Sequence, residues 1–190
     1  SIRLLDADQD NVRAALAWAF ERGALETFLR LAAAMQHYWV IKGRLPEGRA
    51  WLHRPVALCH PAPPPLRAAV LREAGWFSRH AIDHNWAEEL GKQALVLSRE
   101  QGDPTGIAHA LTSLGWIAEG QGRFVQARTY HEEALELSRG LADPSWTAWS
   151  TRNVGMQAFM LGELDVAEGW LAEALALFRQ GGYHFGTAFV

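Results

Sequence analysis

Three short stretches of this 190-residue chain carry residue types that could do chemistry. His80 and His84 stand four apart with Asp83 between them, a spacing that puts two imidazoles on one helical face, where they could hold zinc. Cys59 and His60 adjoin, and that pair of types can make an activated thiolate. Asp6, Asp8 and Asp10 alternate as in the first half of a calcium-binding loop. Each motif weakens in its context. His84 falls where the chain is leaving a helix, so the shared face is lost. Cys59 and His60 sit beside prolines with nothing to preorganise them, and neighbours in sequence seldom aim at one point. In the aspartate run Asn11 stands where the loop needs glycine and Ala17 where it needs a bidentate glutamate. The expectation is no catalytic residue, no metal and no cofactor, with the aspartates an acidic lead-in to a helix.

The elements that would position any site are set by a self-similarity at an offset of forty residues. Gly75, Gly115 and Gly155 share a register, as do Ala87, Ala127 and Ala167, then Ala94, Ala134 and Ala174, and Leu95, Leu135 and Leu175. A fixed period means one supersecondary unit copied along an axis, each copy burying its apolar side on the next. Each unit is expected to be two helices. Ile107, Leu111, Leu114 and Ala118 make one stripe of a 3.6-residue helix over 105–120, a break follows at Gly120-Gln121-Gly122, and Phe124, Ala127, Ala134, Leu135 and Leu137 resume the spacing. Gly140 is the expected C-terminal cap, and Asp103-Pro104 and Asp143-Pro144 read as N-cap and first-turn proline. Gly115 and Ala127 are the short side chains expected where two helices cross. No alternating strand pattern occurs, so β content should be near zero.

The order Leu114-Gly115, Gly122, Phe124, Ala127, Ala134-Leu135 resembles the tetratricopeptide repeat. Val154-Gly155, Gly162, Leu164, Ala167 and Ala174-Leu175 repeat it, and Ala74-Gly75, Ala87 and Ala94-Leu95 give a copy in which Ile82 and His84 replace the turn glycine and the aromatic. A forty-residue period also suits HEAT-type repeats, the alternative architecture; the glycine and alanine positions favour the tetratricopeptide pattern. The resemblance covers residues 66–182 and implies an all-α fold, an α-α superhelix of antiparallel helix pairs. Residues 183–190 match the start of a further first helix, with Ala188 forty residues after Ala148. That would leave Leu164, Leu171 and Phe178 without their next layer, and homo-oligomerisation through this end is expected.

Residues 1–60 read as degenerate helical repeats, with one helix from Asp10 to the Arg22-Gly23 break, a second from Leu25 to Ile41 and a third from Pro46. Pro55, which stands where later copies carry alanine, should shorten, kink or end the third helix, because an interior proline costs about 3 kcal/mol. Residues 61–65, rich in proline, form an extended linker. The segments Asp10 to Trp18 and Gly43 to Leu52 are similar to the start of the helical arm in large bacterial signal-transduction ATPases, among them regulators resembling the maltose-regulon activator and others with a LuxR-type DNA-binding end. That resemblance implies a sensor or interaction arm. The chain itself has no G-x-x-x-x-G-K-[ST] phosphate loop and no recognition-helix segment.

Composition agrees. At 49% apolar residues the chain can bury a substantial core, roughly 70% of its unfolded surface for a compact domain of this size. A net charge of −3 with both signs interspersed leaves no electrostatic footprint for nucleic acid. The start, Ser1 to Asp6, lacks an apolar secretory core, and residues 31–41, the most apolar stretch, are interrupted by Gln36 and His37, so neither a signal peptide nor a membrane span is expected. Cys59 is the only cysteine, which excludes an internal disulfide and suits a reducing, cytoplasmic setting.

In tetratricopeptide arrays the first helix of each pair lines a concave surface. The resemblance assigns to it Arg72, Trp76 and Arg79 with Ala69, Glu73 and His80; then His109, Thr112, Trp116 and Glu119 with Ser113; then Trp149, Arg152, Asn153, Met156 and Phe159 with Met160. Rings, methionines and guanidinium groups together suit a protein or peptide partner or a small-molecule inducer. The other account of Trp76 and Trp116 is that they pack between neighbouring first helices. Grooves that clamp a terminal carboxylate need an asparagine where Trp76, Trp116 and Met156 stand here, so that partner class is not expected. The two function classes are a sensor arm coupled to an ATPase and a free-standing scaffold for other proteins, with an enzyme a distant third.

Overall fold

The computed structural model describes residues 6, 8–58, 66–68, 71, 84–141, 144–183 and 186. Among them every regular element is a helix. In chain order these are α1 (Gln9–Glu21), α2 (Leu25–Ile41), α3 (Leu45–Leu58), α4 (His84–Glu100), α5 (Pro104–Gly120), α6 (Phe124–Ser138), α7 (Pro144–Met160) and α8 (Leu164–Gln180). The chain divides into two compact units, residues 1–97 and 98–190. Among the described residues no helix is long and apolar enough to cross a membrane. The proposed linker at 61–65, Cys59, His60 and His80 lie outside the described residues, as do Asp143 and Ala188.

Within the first unit Leu16 and Ala19 of α1, Phe28, Ala32, Met35, Tyr38 and Trp39 of α2 and Leu52 of α3 form one core, with Trp51 and Trp86 packed on its margin. Phe28 meets the edges of Phe20 and Trp51 at centroid distances of 5.4 and 6.3 Å. Arg13 of α1 grips Glu47 of α3 with two bonds, Nε to Oε1 at 2.7 Å and Nη2 to Oε2 at 2.9 Å, a fork-to-fork geometry that fixes orientation as well as charge. Asp6 accepts from Lys42 at 2.5 Å and from the Tyr38 hydroxyl at 3.0 Å, so this aspartate ties down the α2 end. Asp8 occupies the α1 N-cap position.

Of the outcomes expected at Pro55, an end there is ruled out, because α3 continues to Leu58. A proline deletes one N–H and strains one carbonyl, and the turns on either side can still propagate.

In the second unit α5–α6 and α7–α8 are antiparallel hairpins stacked so that α6 also packs on α7. Each hairpin turn is set by a glycine in the left-handed region, Gly122 at φ 73° and Gly162 at φ 81°. That conformation lets the following amide return to the helix end, Arg123 N–H to Ala118 O at 2.8 Å and Glu163 N–H to Ala158 O at 2.9 Å. Gly140, expected to cap α6 in the same way, does not adopt a positive φ; Arg139 caps the helix in the right-handed region. Asp103 holds the α5 N-cap position with Pro104 behind it, but its side chain makes no capping bond.

Burial of α5 is wider than the single stripe its sequence pattern suggests. Ala108, Ala110, Leu111, Thr112, Ser113, Leu114, Gly115, Ile117 and Ala118 are all buried, as expected of a helix with neighbours on more than one side. Gly115 sits where α5 crosses α6, against His131, and Gly155 sits against Leu171 and Trp170 of α8. Phe178, expected to lack its next layer, is instead fully buried, its ring 4.9 Å from that of Trp149. Arg128 bridges the two hairpins, donating to Glu132 at 2.8 Å within α6 and to Glu163 at 2.6 Å at the head of α8.

Candidate ligand groove

α5 and α7 are the first helices of neighbouring hairpins, and their facing sides line an open cavity of about 370 Å³. Thr112 and Trp116 reach it from α5, one turn apart. Ser145, Trp146, Trp149, Ser150 and Asn153 reach it from α7 at spacings of three and four, which is one face of a helix. Two of the indoles are braced from behind. Trp146 meets the ring of His109 edge to face at 4.0 Å, and Trp149 meets Phe178 in the same manner. Bracing of this kind holds large rings at a cavity wall with little freedom left to lose on binding.

The polar part of the wall is unusual. Thr112 is 4% exposed and Asn153 2%, yet Thr112 Oγ1 and Asn153 Nδ2 have no hydrogen-bond partner. Buried polar atoms are nearly always paired, so two orphans on one cavity are informative. The Asn153 amide is oriented by Arg152, whose Nη1 donates to Oδ1 at 3.3 Å. Arg152 is itself half buried; desolvation lowers its pKa and the Glu119 carboxylate opposes that shift. Glu119 in turn accepts from Gln157 Nε2 at 2.9 Å. In the same hairpin layer lies His131, fully buried, with both ring nitrogens unpartnered. Desolvation, and next the Arg152 charge, pull its pKa from 6.5 to about 4, so the ring is neutral. No cluster of three or more His, Cys, Asp or Glu side chains suited to a metal occurs among the described residues.

Of the residues assigned from the sequence, Thr112, Trp116, Trp149 and Asn153 are brought to one cavity. His109 braces it, and Arg152 and Glu119 lie in the polar network at its edge. Met156 is half buried and is not part of the lining. Phe159 is 53% exposed and lines a different, shallower groove with Leu164, Ala167 and Leu171. Arg72, Trp76 and Arg79 lie outside the described residues. Trp146, Ser145 and Ser150 were missed. Trp146 stands three residues before Trp149, so extending the same stripe one turn toward Pro144 would have found it.

Residues 66–140 and 106–180 match the tetratricopeptide repeat, and the chain belongs to that family. Over 123 residues it is 30% identical to proteins of Mycobacterium tuberculosis and Mycobacterium bovis provisionally named as HTH-type transcriptional regulators. The match takes in 58% of this chain but spans only 13% of those relatives. Among solved structures it is similar to a signal-transduction ATPase with numerous domains and a tetratricopeptide repeat sensor from Pyrococcus horikoshii, with a TM-score of 0.73 at 16% identity over 99% of this chain and 33% of that one. It is equally similar to a Rap protein complexed with competence and sporulation factor, with a TM-score of 0.73 at 16% identity over 87% and 46% of the two chains. These likenesses establish an all-α solenoid of helix pairs.

Proposed function

We propose that the chain is a non-catalytic sensor arm of a cytoplasmic bacterial transcriptional regulator of the signal-transduction ATPase kind, and that the α5–α7 groove receives its partner or inducer. The observation that carries this is the meeting of Thr112, Trp116, Trp149 and Asn153 at one cavity with two orphaned polar atoms in its wall. A purely structural aromatic stripe would fill the space between the helices and pair its polar atoms. The mycobacterial relatives and the Pyrococcus ATPase support the kind of polypeptide in which such an arm works.

The test is made in the organism that encodes the full polypeptide. Transcript profiles are compared for the parent, a deletion and a Trp116→Ala variant whose abundance matches the parent's. A deletion that changes transcript levels, reproduced by Trp116→Ala, is the expected result. A deletion without effect on transcription removes the regulator reading. A deletion phenotype with normal transcription in Trp116→Ala moves the sensing surface away from this groove.

A further inference from the structure

We propose that the α5–α7 cavity takes a small, uncharged aromatic amide. The inference rests on the reading of this groove as a binding site and adds the chemistry of the occupant. The cavity, at about 370 Å³, lies at the lower end of the range for small-molecule sites and is short for an extended peptide. Its lining is Thr112, Trp116, Ser145, Trp146, Trp149, Ser150 and Asn153, with no ionised side chain.

That neutrality decides between ligand charges. Three indoles could attract a cation, but the lining has no carboxylate to offset its desolvation, and the Arg152 guanidinium bonded to the lining residue Asn153 carries the same sign as such a ligand. A carboxylate fares no better, because the guanidinium is turned to Asn153 Oδ1 and the cavity lining itself holds no cation. An uncharged ring meets neither penalty and gains the indole faces.

The orphaned atoms specify the polar part. Asn153 Nδ2 is a donor lacking an acceptor, and the Thr112 hydroxyl can accept as well as donate. An amide supplies both halves, its carbonyl to Asn153 Nδ2 and its N–H to Thr112 Oγ1. Both atoms are closed from solvent in the free protein. Binding therefore includes a turn of Thr112 about χ1, where threonine in a helix has two favourable rotamers, and a swing of the Asn153 amide within its broad χ2 well.

The experiment uses the whole chain and 1-naphthamide, with 1-naphthoate and 1-naphthylmethylammonium as charged counterparts of similar shape, measured by calorimetry and melting curves. The amide should bind at least about tenfold more tightly than either ion. Thr112→Val should raise the melting temperature of the free protein by about 2–4 °C, because it removes an orphaned hydroxyl without changing shape, and should weaken amide binding about tenfold. Thr112→Ser should keep the affinity. No amide binding at millimolar concentration overturns the proposal, as does an ion binding as tightly, or a Thr112→Val variant that melts lower than the parent. A capped tripeptide carrying the same ring and binding more tightly than the amide would overturn the small-molecule assignment and give the cavity to a peptide. Each of these failures leaves the Trp116→Ala transcript result standing, so the identity of the ligand and the use of the groove are tested apart.

Discussion

The imidazole of His131 occupies the space that a side chain at Gly115 would need. A β-carbon on Gly115 would lie 2.5 Å from His131 Nε2 and 2.7 Å from Nδ1, while ordinary contact begins near 3.4 Å. The α5–α6 crossing therefore closes on a backbone surface, and the glycine is required by a particular neighbour.

Gly115→Ala should destabilise the protein. Alanine in a helix interior gains about 1 kcal/mol in propensity over glycine, but overpacking an enclosed site costs about 1–3 kcal/mol. His131 is 0% exposed and enclosed at the crossing, so the clash should win. Urea denaturation checks this, and His131→Ala in the same chain should restore the loss. Gly155→Ala should be milder, since the side chains it meets, Leu171 and Trp170, have their nearest atoms at 3.0 Å and not below.

His131→Leu should stabilise the protein, and more so in acid. Leu171 holds the matching place forty residues on, so leucine suits this crossing. The folded-state pKa of about 4 lies below the 6.5 of a free imidazole, so between these values the unfolded chain binds the additional proton. Native stability is thus intact above pH 6.5 and falls as the pH drops toward 4, by up to about 3 kcal/mol for this one group. The charge facing the ring from α7, Arg152, acts in the same direction. Melting curves of parent and variant should diverge steadily from pH 7 to pH 4; parallel curves would show that His131 does not titrate as described.

Two tryptophans of the groove should respond differently to truncation. Trp149 packs on the buried Phe178 and belongs to the cluster with Ala148, Ala174 and Leu177, so Trp149→Ala should cost about 3–5 kcal/mol of stability. Trp116→Ala should cost the fold far less and weaken partner binding by about 2 kcal/mol. A collapse of the Trp116→Ala melting curve would make both indoles packing residues.

Much of this arrangement was legible in the sequence because the fold repeats. The forty-residue register of Gly115 with Gly155 and Ala127 with Ala167 marked the hairpins, and α2 and the start of α6 fall where periodicity put them. Position 131 was invisible, since its counterparts are Gly91 and Leu171 and no shared type marks it. Its burial comes from a neighbouring helix, which periodicity along one helix does not contain. The same limit hid the wide burial of α5 and the separation of Phe159 from the α5–α7 cavity. A stripe of spacing gives a face, but the turn at Gly162 carries α8 past the end of α7, and Phe159 meets Leu164 there.

That second groove carries the last prediction. Phe159, Leu164 and Val166 are 53%, 62% and 44% exposed, and Phe159 and Leu164 open a shallow cavity of about 410 Å³ floored by Ala167, Leu171 and Leu175. One repeat earlier His131 and Leu135, which match Leu171 and Leu175, are 0% and 4% exposed because the next hairpin packs there, whereas Leu171 and Leu175 are only half buried. An apolar face of this kind, left open, favours association with another apolar face. Sedimentation velocity of the 190-residue chain should therefore show concentration-dependent self-association. Leu164→Lys together with Phe159→Lys should shift it to monomer with little change in melting temperature, since both side chains are exposed. Appending two helices that copy the α7–α8 hairpin should have the same effect on association and should also raise the melting temperature, because it buries the face. A chain that stays monomeric at all concentrations, and is no more stable with the added repeat, would show that the α8 face is not a docking surface.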